Sequence, residues 1–276
     1  MKASVNSTIL IRGGGDLASG VAARLHRAGF KVVITELPEP LAVRRKVAFS
    51  EAIYSGQIAV EGISASPINN PENTAAIISI LSDHAIPIIV DPECRCAQHL
   101  EPVAIIDARM MKRAPDTLVF VPRLLIGLGP GFIAGENCNA VIETRRGHTL
   151  GRVYWNGPAD ADTGLPDPVK GHQASRVLRA PAEGSVITFA NIGDHIEKGQ
   201  AIAEVMGQCI TAPFSGILRG LAHPGLQVKP NDKIGDLDPR DDPSLCVLIS
   251  DKALAVGGGV LEALLTGAEI RRVLCR

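Results

Sequence analysis

The feature that most constrains this chain is an internal repeat. Ala180-Pro181-Ala182-Glu183-Gly184 returns 32 residues later as Ala212-Pro213-Phe214-Ser215-Gly216. The same offset pairs Gly193 with Gly225, Ile196 with Val228, Ile202 with Ile234 and Val205 with Leu237. Each half supplies an Ala-Pro step, glycine turns and alternating apolar positions, the pattern of short half-buried strands. Neither half carries enough apolar surface to close a core, so the two are expected to bury a shared interior.

With 276 residues, ample chain remains outside the repeat for a larger domain. The 28 basic and 29 acidic residues nearly cancel and aromatics are 3%. Such a chain has neither the positive field nor the stacking platforms that nucleic acid requires, so nucleic acid is not expected as a partner. The longest uncharged apolar run, Leu124 to Gly135, is broken by Gly127, Gly129, Pro130 and Gly131. It falls short of the ~20 residues of a spanning helix, and no membrane span is expected. Met1 to Ser7 shows no leader-like apolar run. Cys94, Cys96, Cys138, Cys209, Cys246 and Cys275 are too scattered for a secreted disulfide scaffold. A cytoplasmic protein with reduced thiols is the expectation.

The first 120 residues alternate short apolar strands with helical stretches. Thr8 to Arg12 reads as a strand, Gly13-Gly14-Gly15 as a turn, and Leu17, Val21, Ala22 and Leu25 as the apolar stripe of a helix. A second strand, Lys31 to Glu36, follows Gly29. Asn73 or Thr74 caps a helix through Leu81, and strands follow at Pro87 to Asp91 and Val103 to Asp107. This order predicts a mostly parallel sheet. Further on, Asn139 to Thr144 and Leu245 to Ile249 read as strands. The last segment reads as a helix capped by Ser250 or Asp251 and interrupted at Gly257-Gly258-Gly259.

The chemistry-bearing candidates fall in five places. Gly13-x-Gly15-x-x-Ala18, between strand and helix, fits a dinucleotide fingerprint: glycines let a phosphate approach, and the helix start favours negative charge. Glu36, at the end of the second strand, is placed to bind ribose hydroxyls. Asp16 opposes a phosphate unless it caps the helix, and Arg12 could offset it. Cys94, Cys96 and His99 hold potential soft-metal or sulfur ligands, against the alternative of ordinary thiols in a surface loop; no metal site is assigned. Thr144-Arg145-Arg146-Gly147-His148 puts two guanidiniums and an imidazole on one turn, suited to forked binding of phosphate or carboxylate. Gly127-Leu128-Gly129-Pro130-Gly131 could aim amides at an anion or form a packed crossover. The acids of Asp236 to Asp242 could hold a hard cation or line a hydrated turn.

The repeat resembles the barrel-sandwich hybrid of biotinyl and lipoyl domains, in Gly193-Asp194-His195-Ile196-Glu197-Lys198-Gly199-Gln200 and Thr211-Ala212-Pro213. That family carries its modified lysine on the turn joining the halves, where this chain has Met206-Gly207-Gln208-Cys209. Neither biotin nor lipoate is expected, Cys209 reads as a small buried side chain, and the module reads as architectural or interaction-bearing.

Over nearly its whole length the chain resembles the selenium-dependent molybdenum hydroxylase maturation family, the YqeB-type accessory proteins. The resemblance is carried by Arg12-Gly13-Gly14-Gly15-Asp16-Leu17-Ala18, Leu128-Gly129-Pro130-Gly131-Phe132, Val141-Ile142-Glu143-Thr144-Arg145-Arg146-Gly147-His148, Gly235-Asp236-Leu237-Asp238-Pro239-Arg240 and Ile249-Ser250-Asp251-Lys252. The first segment is also similar to xanthine dehydrogenase accessory proteins, which handle molybdenum cofactor before it enters the hydroxylase. The resemblance implies a maturation role, with a hydroxylase subunit as partner and a nucleotide-bearing molybdenum cofactor, a pterin dinucleotide, as ligand; it marks no residue as catalytic. Cofactor binding is assigned to Arg12, Gly13, Gly15, Asp16, Ala18, Glu36, Arg145, Arg146 and His148. An NAD(P)-binding oxidoreductase and a non-enzymatic adaptor docking on the hydroxylase are the alternatives.

The expected fold is α/β: a Rossmann-like domain over residues 1–122, a glycine-rich connection over 123–178, an all-β barrel-sandwich module over 179–240, and a segment over 241–276 that returns to the larger domain.

Overall fold

The computed structural model describes residues 8–162, 164 and 169–274. Met1 to Ser7, Pro166 and Pro168 of the expected connection, and Cys275 lie outside the described residues. The chain divides into two compact units, one of Met1–Pro40, Phe49–Asp162 and Ile249–Arg276, the other of Leu41–Ala48 and Thr163–Leu248.

In the first unit, β1 (Thr8–Arg12) is buried along its whole length and runs into helix α1 (Asp16–Arg27) and then β2 (Lys31–Glu36). Gly29, at φ 88°, makes the turn out of α1, a left-handed conformation that favours glycine. A four-residue helix α2 (Ala52–Ser55) precedes the hairpin β3 (Ile58–Val60) and β4 (Ile63–Ile68). Helix α3 (Thr74–Ser82) is capped by Asn73, whose Oδ1 accepts from the Ala76 amide at 3.1 Å. Strand β5 (Ile86–Val90), the four-residue α4 (Ala97–Leu100) and β6 (Ala104–Asp107) follow. Then come β7 (Leu124–Leu128), β8 (Ile133–Ala134), β9 (Ala140–Ile142), β10 (Val153–Tyr154) and β11 (Gly157–Pro158).

Nine of these strands form one sheet in the order β10-β9-β7-β6-β1-β2-β5-β4-β3, while β8 and β11 pair separately. The inner neighbours are parallel, and an antiparallel strand closes each edge, β10 on β9 and β3 on β4. Helix α5 (Asp251–Thr266), capped by the Ser250 hydroxyl on the Ala253 amide at 3.2 Å, packs against α1, and α6 (Ala268–Leu274) follows it. The α1–α5 crossing is close because small residues meet there: a Cβ on Gly20 would collide with the Ala253 methyl, and one on Gly257 would lie 3.1 Å from the Arg24 Cβ.

The second unit is all β: β12 (Val177–Arg179), β13 (Gly184–Thr188), β14 (His195–Ile196), β15 (Ala201–Val205), β16 (Gln208–Thr211), β17 (Gly216–Leu221), β18 (Gln227–Val228) and β19 (Lys233–Asp238). They form two four-stranded antiparallel sheets, β12-β19-β17-β14 and β16-β15-β13-β18. The repeat halves exchange strands: β14 of the first half pairs with β17 of the second, and β18 of the second with β13 of the first. The matched apolar positions Ile196, Val228, Ile202, Ile234, Val205 and Leu237 all lie in one buried cluster. Residues 41–48 join this unit, Val43 accepting the Leu221 amide at 2.7 Å.

This architecture corrects the expected fold class. In place of a Rossmann-like domain closed by residue 122, the first unit is a mixed sheet that takes strands as far as Tyr154. Its β5–β6 connection carries only the four-residue α4, and residues 108–123 between β6 and β7 contain no helix. In place of a barrel-sandwich module within 179–240, the second unit is a pair of antiparallel sheets that also takes β12 and residues 41–48. Local patterning identifies strands but carries no information on which distant strand completes a sheet. Two smaller expectations change as well. Pro243 and the Asp242 cap turn Pro243–Cys246 into a 3-10 turn in place of a strand over Leu245 to Ile249. The three glycines at 257–259 leave α5 uninterrupted because the burial of Gly257 against α1 and of Gly259 against the Gly151 carbonyl and Ile142 offsets their low helix propensity. Among the described residues no helix is long and apolar enough to cross a membrane.

The α5 glycines separate packing from propensity. A Cβ on Gly258 meets nothing within 4 Å, so Gly258→Ala is expected to raise stability by about 0.5–1 kcal/mol. Gly20→Val overfills the helix crossing and is expected to cost about 1–3 kcal/mol. Urea unfolding of the two variants checks both signs.

Candidate functional site

Because the inner strands of the mixed sheet are parallel, their carboxyl ends lie along one edge. In spatial order this edge carries Glu143 to Arg146 after β9, Gly129 after β7, Asp107 and Arg109 at β6, Arg12 to Asp16 at β1, Glu36 at β2, and Asp91 to Cys96 after β5. At ~4.8 Å per strand, the arginine turn after β9 lies roughly 14 Å from the glycine turn after β1.

The glycine turn is tied down on one side. The Gly13 amide donates to Thr35 O at 2.8 Å, and the Gly14 amide donates to Glu36 Oε1 at 2.8 Å. Glu36 Oε2 accepts the Leu37 amide at 2.6 Å, and burial pushes the Glu36 carboxyl up despite these two amides. Gly13 needs its glycine, since φ is 92°. At Gly14 a Cβ would lie 3.1 Å from the Ser50 amide. Gly15 differs from both: φ −65° and ψ 180° suit any residue, and a Cβ there meets nothing within 4 Å. Asp16 Oδ1 accepts the Leu17 amide at 3.0 Å, so the carboxylate sits at the head of α1. Ala18 is buried one turn into the helix.

Arg12 is expected from the sequence to face the ligand; the structure buries it at 1% exposure. Its guanidinium donates to Asp107 Oδ2 at 3.1 Å, Asp116 Oδ2 at 2.9 Å and Pro92 O at 3.4 Å, while Nε has no partner among the described residues. Arg109 bridges the same two carboxylates, at 2.6 Å to Asp107 and 2.5 Å to Asp116. For Asp116, burial raises the carboxyl pKa, but the hydrogen bonds from Arg109 and Arg12 outweigh it and hold the group well below the usual range. Asp107 and Asp116 were not legible as partners of Arg12, which lies 95 and 104 positions away from them, nor was Arg109 as the second guanidinium on the same carboxylates. The one signal was an acid ending an apolar strand at Asp107.

On the arginine turn, the fully buried Glu143 carboxylate accepts the amides of Thr144, Arg145 and Asp160, each at 2.7 Å, which fixes the backbone. Arg145 pairs with Asp160 at 3.4 Å and Arg146 with Asp251 at 2.5 Å, both exposed ion pairs. His148 is exposed beside them. The glycines at 127–131 are packed: a Cβ on Gly127 would enter the Phe132 ring, and one on Gly131 would meet the Arg113 carbonyl.

Cys94 and Cys96, expected in a surface loop, are fully buried, whereas His99 is exposed. The three do not converge, and among the described residues no group of three or more His, Cys, Asp or Glu side chains is arranged to hold a metal ion. Cys209, expected buried, is exposed on β16. The acids of the Asp236 to Asp242 stretch are mostly committed within the second unit. Buried Asp236 receives Arg219 at 2.6 Å and Arg176 at 3.3 Å, and buried Asp238 receives Arg240 at 2.6 Å. These aspartates are therefore already neutralised by guanidinium. Exposed Asp241 instead meets His195 Nδ1 at 2.7 Å, and His195 Nε2 lies 3.3 Å from Glu197.

The likeness to YqeB-type proteins extends across nearly the whole chain: it is 43% identical over 262 residues, 95% of its length, to the uncharacterized protein YqeB of Escherichia coli (strain K12). The chain spans about half the length of that relative, 48%. No family model matches the chain. Among solved structures, the ectoine utilization protein EutE (DoeB) from Ruegeria pomeroyi is 11% identical with a TM-score of 0.25, covering 85% of this chain and 86% of that one. A succinylglutamatedesuccinylase/aspartoacylase from Rhodobacter sphaeroides is 12% identical with a TM-score of 0.26, over 84% of this chain and 85% of that one. At such scores the likeness carries no argument.

Two predictions follow from these ion pairs. Arg12→Met removes one of the two guanidiniums that serve the buried Asp107 carboxylate, leaving Arg109, and is expected to cost about 1.5–3 kcal/mol in urea unfolding. Asp107→Asn in that background should recover part of the loss. The hydrogen bond to Asp241, aided by Glu197, raises the His195 pKa above 6.5. The pair's contribution is then complete below 6.5 and fades as pH rises through the higher folded value. An imidazole NMR titration should give a midpoint above 6.5 that falls on Asp241→Asn.

Proposed function

We propose that this chain is an accessory factor that binds a nucleotide-bearing molybdenum cofactor, a pterin dinucleotide, as cargo for a molybdenum hydroxylase, including its selenium-dependent form, in the cytoplasm. The observation that supports this reading is Gly15. Neither its dihedrals nor any neighbour requires glycine, so the missing side chain leaves room for an outside group at the head of α1. Phosphate suits that position, where helix N–H groups and the positive dipole end favour negative charge.

The rest of the edge is compatible with such a cargo. Both Glu36 oxygens accept one amide each and keep a lone pair for a ribose hydroxyl. Asp16 opposes phosphate, but its carboxylate can yield the Leu17 amide by a side-chain rotation. Arg145 and Arg146 would bind the far end of an extended ligand by exchanging exposed ion pairs, which are worth little in water. The likeness to YqeB over 95% of the chain supports the family reading from which the cargo comes.

Native mass spectrometry of the protein from its own host tests this. Retention of a pterin dinucleotide is expected, with loss on Gly15→Leu at unchanged melting temperature and at least a ~10-fold weaker affinity for Arg145→Ala/Arg146→Ala, the effect of about 1.4 kcal/mol. Unchanged retention in Gly15→Leu overturns the site. Retained NAD(P) indicates an oxidoreductase instead, and an empty protein that captures a hydroxylase subunit indicates an adaptor.

A further inference from the structure

Two guanidiniums and two carboxylates meet beside the glycine turn, and the two carboxylates are held on different terms. The Asp107 side chain, at the end of β6, is 3% exposed and belongs to the sheet. That of Asp116 is 51% exposed and reaches the same arginines from the segment between β6 and β7. Each of its oxygens takes one guanidinium: Oδ2 accepts from Arg12 Nη2 at 2.9 Å, and Oδ1 from Arg109 Nη2 at 2.5 Å. Once Asp107 is counted, Arg12 and Arg109 retain one positive charge between them, and Asp116 offsets it from the solvent side. Arg109 also touches the glycine turn, since a Cβ on Gly13 would lie 3.4 Å from its Cα and Cγ.

The segment that carries Asp116 is lightly attached. It has no helix or strand over residues 108–123, and among the described residues no backbone–backbone hydrogen bond engages residues 110–121. Met110 and Lys112 hold φ of 55° and 59°, a left-handed conformation that residues with side chains seldom adopt. Anchors stand on both sides of the tip. Lys112 pairs with Asp162 at 2.9 Å, Arg113 lies over Gly131, and Leu118 and Phe120 are half-buried against the apolar cluster that contains Leu10 and Ile89. Between these anchors Ala114, Asp116 and Thr117 are exposed, so the bonds to Arg12 and Arg109 are what hold the tip down.

We propose that Arg12 and Arg109 form an anion site for a phosphate group, occupied in this structure by the chain's own Asp116, which an arriving phosphate displaces. The exchange puts one anion in place of another on the same two donors, so the buried Arg12 charge keeps a counterion throughout. It gives up an ion pair whose acidic half already meets water, which is worth little. A phosphate also has more to offer the arginines than a carboxylate. It carries a third oxygen, and Arg109 Nη1 makes no hydrogen bond among the described residues, so that donor is available to it. On binding, Asp116 returns to solvent and the tip of the segment is released with it. The inference rests on the cargo reading only for which molecule bears the phosphate; the arginine pair recognises the phosphate itself.

Calorimetric titration of the full chain with inorganic pyrophosphate tests the site. Asp116→Asn removes the internal competitor at constant size, and its affinity is expected to exceed that of the parent by at least ~10-fold, as for a site the parent leaves open less than about a tenth of the time. Arg109→Gln in that background should lose the gain. In the unsubstituted chain, pyrophosphate should speed trypsin cleavage after Arg113 several-fold, because proteolysis follows the population of the released tip. Equal affinity of the parent and Asp116→Asn overturns the proposal, as does unchanged affinity on Arg109→Gln or an unaltered cleavage rate. Gly15→Leu added to Asp116→Asn separates this site from the head of α1. Tightening that survives it supports the arginine site whatever becomes of the cargo site, whereas tightening that vanishes assigns the phosphate to the helix and overturns the arginine site. Circular dichroism melts of the variants show that the fold is retained.

Discussion

A guanidinium removed from water stands at the centre of the larger unit. Arg12 ends the central strand of the sheet, and burying its charge is tolerable only with carboxylates and carbonyls placed around it. Those partners come from three other parts of the chain: Asp107 at the end of β6, Asp116 in the stretch between β6 and β7, and the Pro92 carbonyl beside β5. Meeting that one requirement fixes the carboxyl edge, because each partner brings its own loop with it. Arg109 then joins the same carboxylates and closes the edge beside Gly13. The turns that follow are held by their own partners, the glycine turn by Thr35 and Glu36 and the Cys94 to Cys96 turn by Asp91.

The same physics serves the second unit by other means. Asp236 and Asp238 on β19 are taken out of water by Arg176, Arg219 and Arg240, while the apolar side of β19 faces the interior shared by the repeat halves. Strand exchange between the halves makes that interior indivisible: β14 and β18 have no partners within their own half. Neither half can fold first and bury its surface alone, so the unit forms as one cooperative body.

Much of the first sheet was legible residue by residue. Thr8 to Arg12 and Lys31 to Glu36 are strands, Asn73 and Ser250 are helix caps, and Gly29 makes the turn out of α1, all from local patterns with local causes. The stretch after residue 123 was read as a glycine-rich connection because its strands are two to five residues long and their glycines look like loop. In the structure those glycines are packing sites, as at Gly127 beneath Phe132. Of the site, the glycine turn and Glu36 were visible as motifs, and the hydrogen bond between Gly14 and Glu36 joins them. Cys94 and Cys96 were visible as thiols, but their burial comes from packing with Leu10, Ile89, Leu100 and Ile105, which the fold brings together from four elements.

By itself the sequence determined the local conformations: which runs are extended, where helices begin, and that two halves of a repeat must share an interior. These follow from dihedral preference, side-chain period and capping, each acting over a few residues. Only the tertiary structure decided which strands are neighbours, that the sheet runs on to β10, that α5 covers α1, and that Arg12 finds Asp107 and Asp116. Such choices are settled by burial and charge compensation between segments about a hundred residues or more apart, and no local pattern encodes which distant partner will satisfy them.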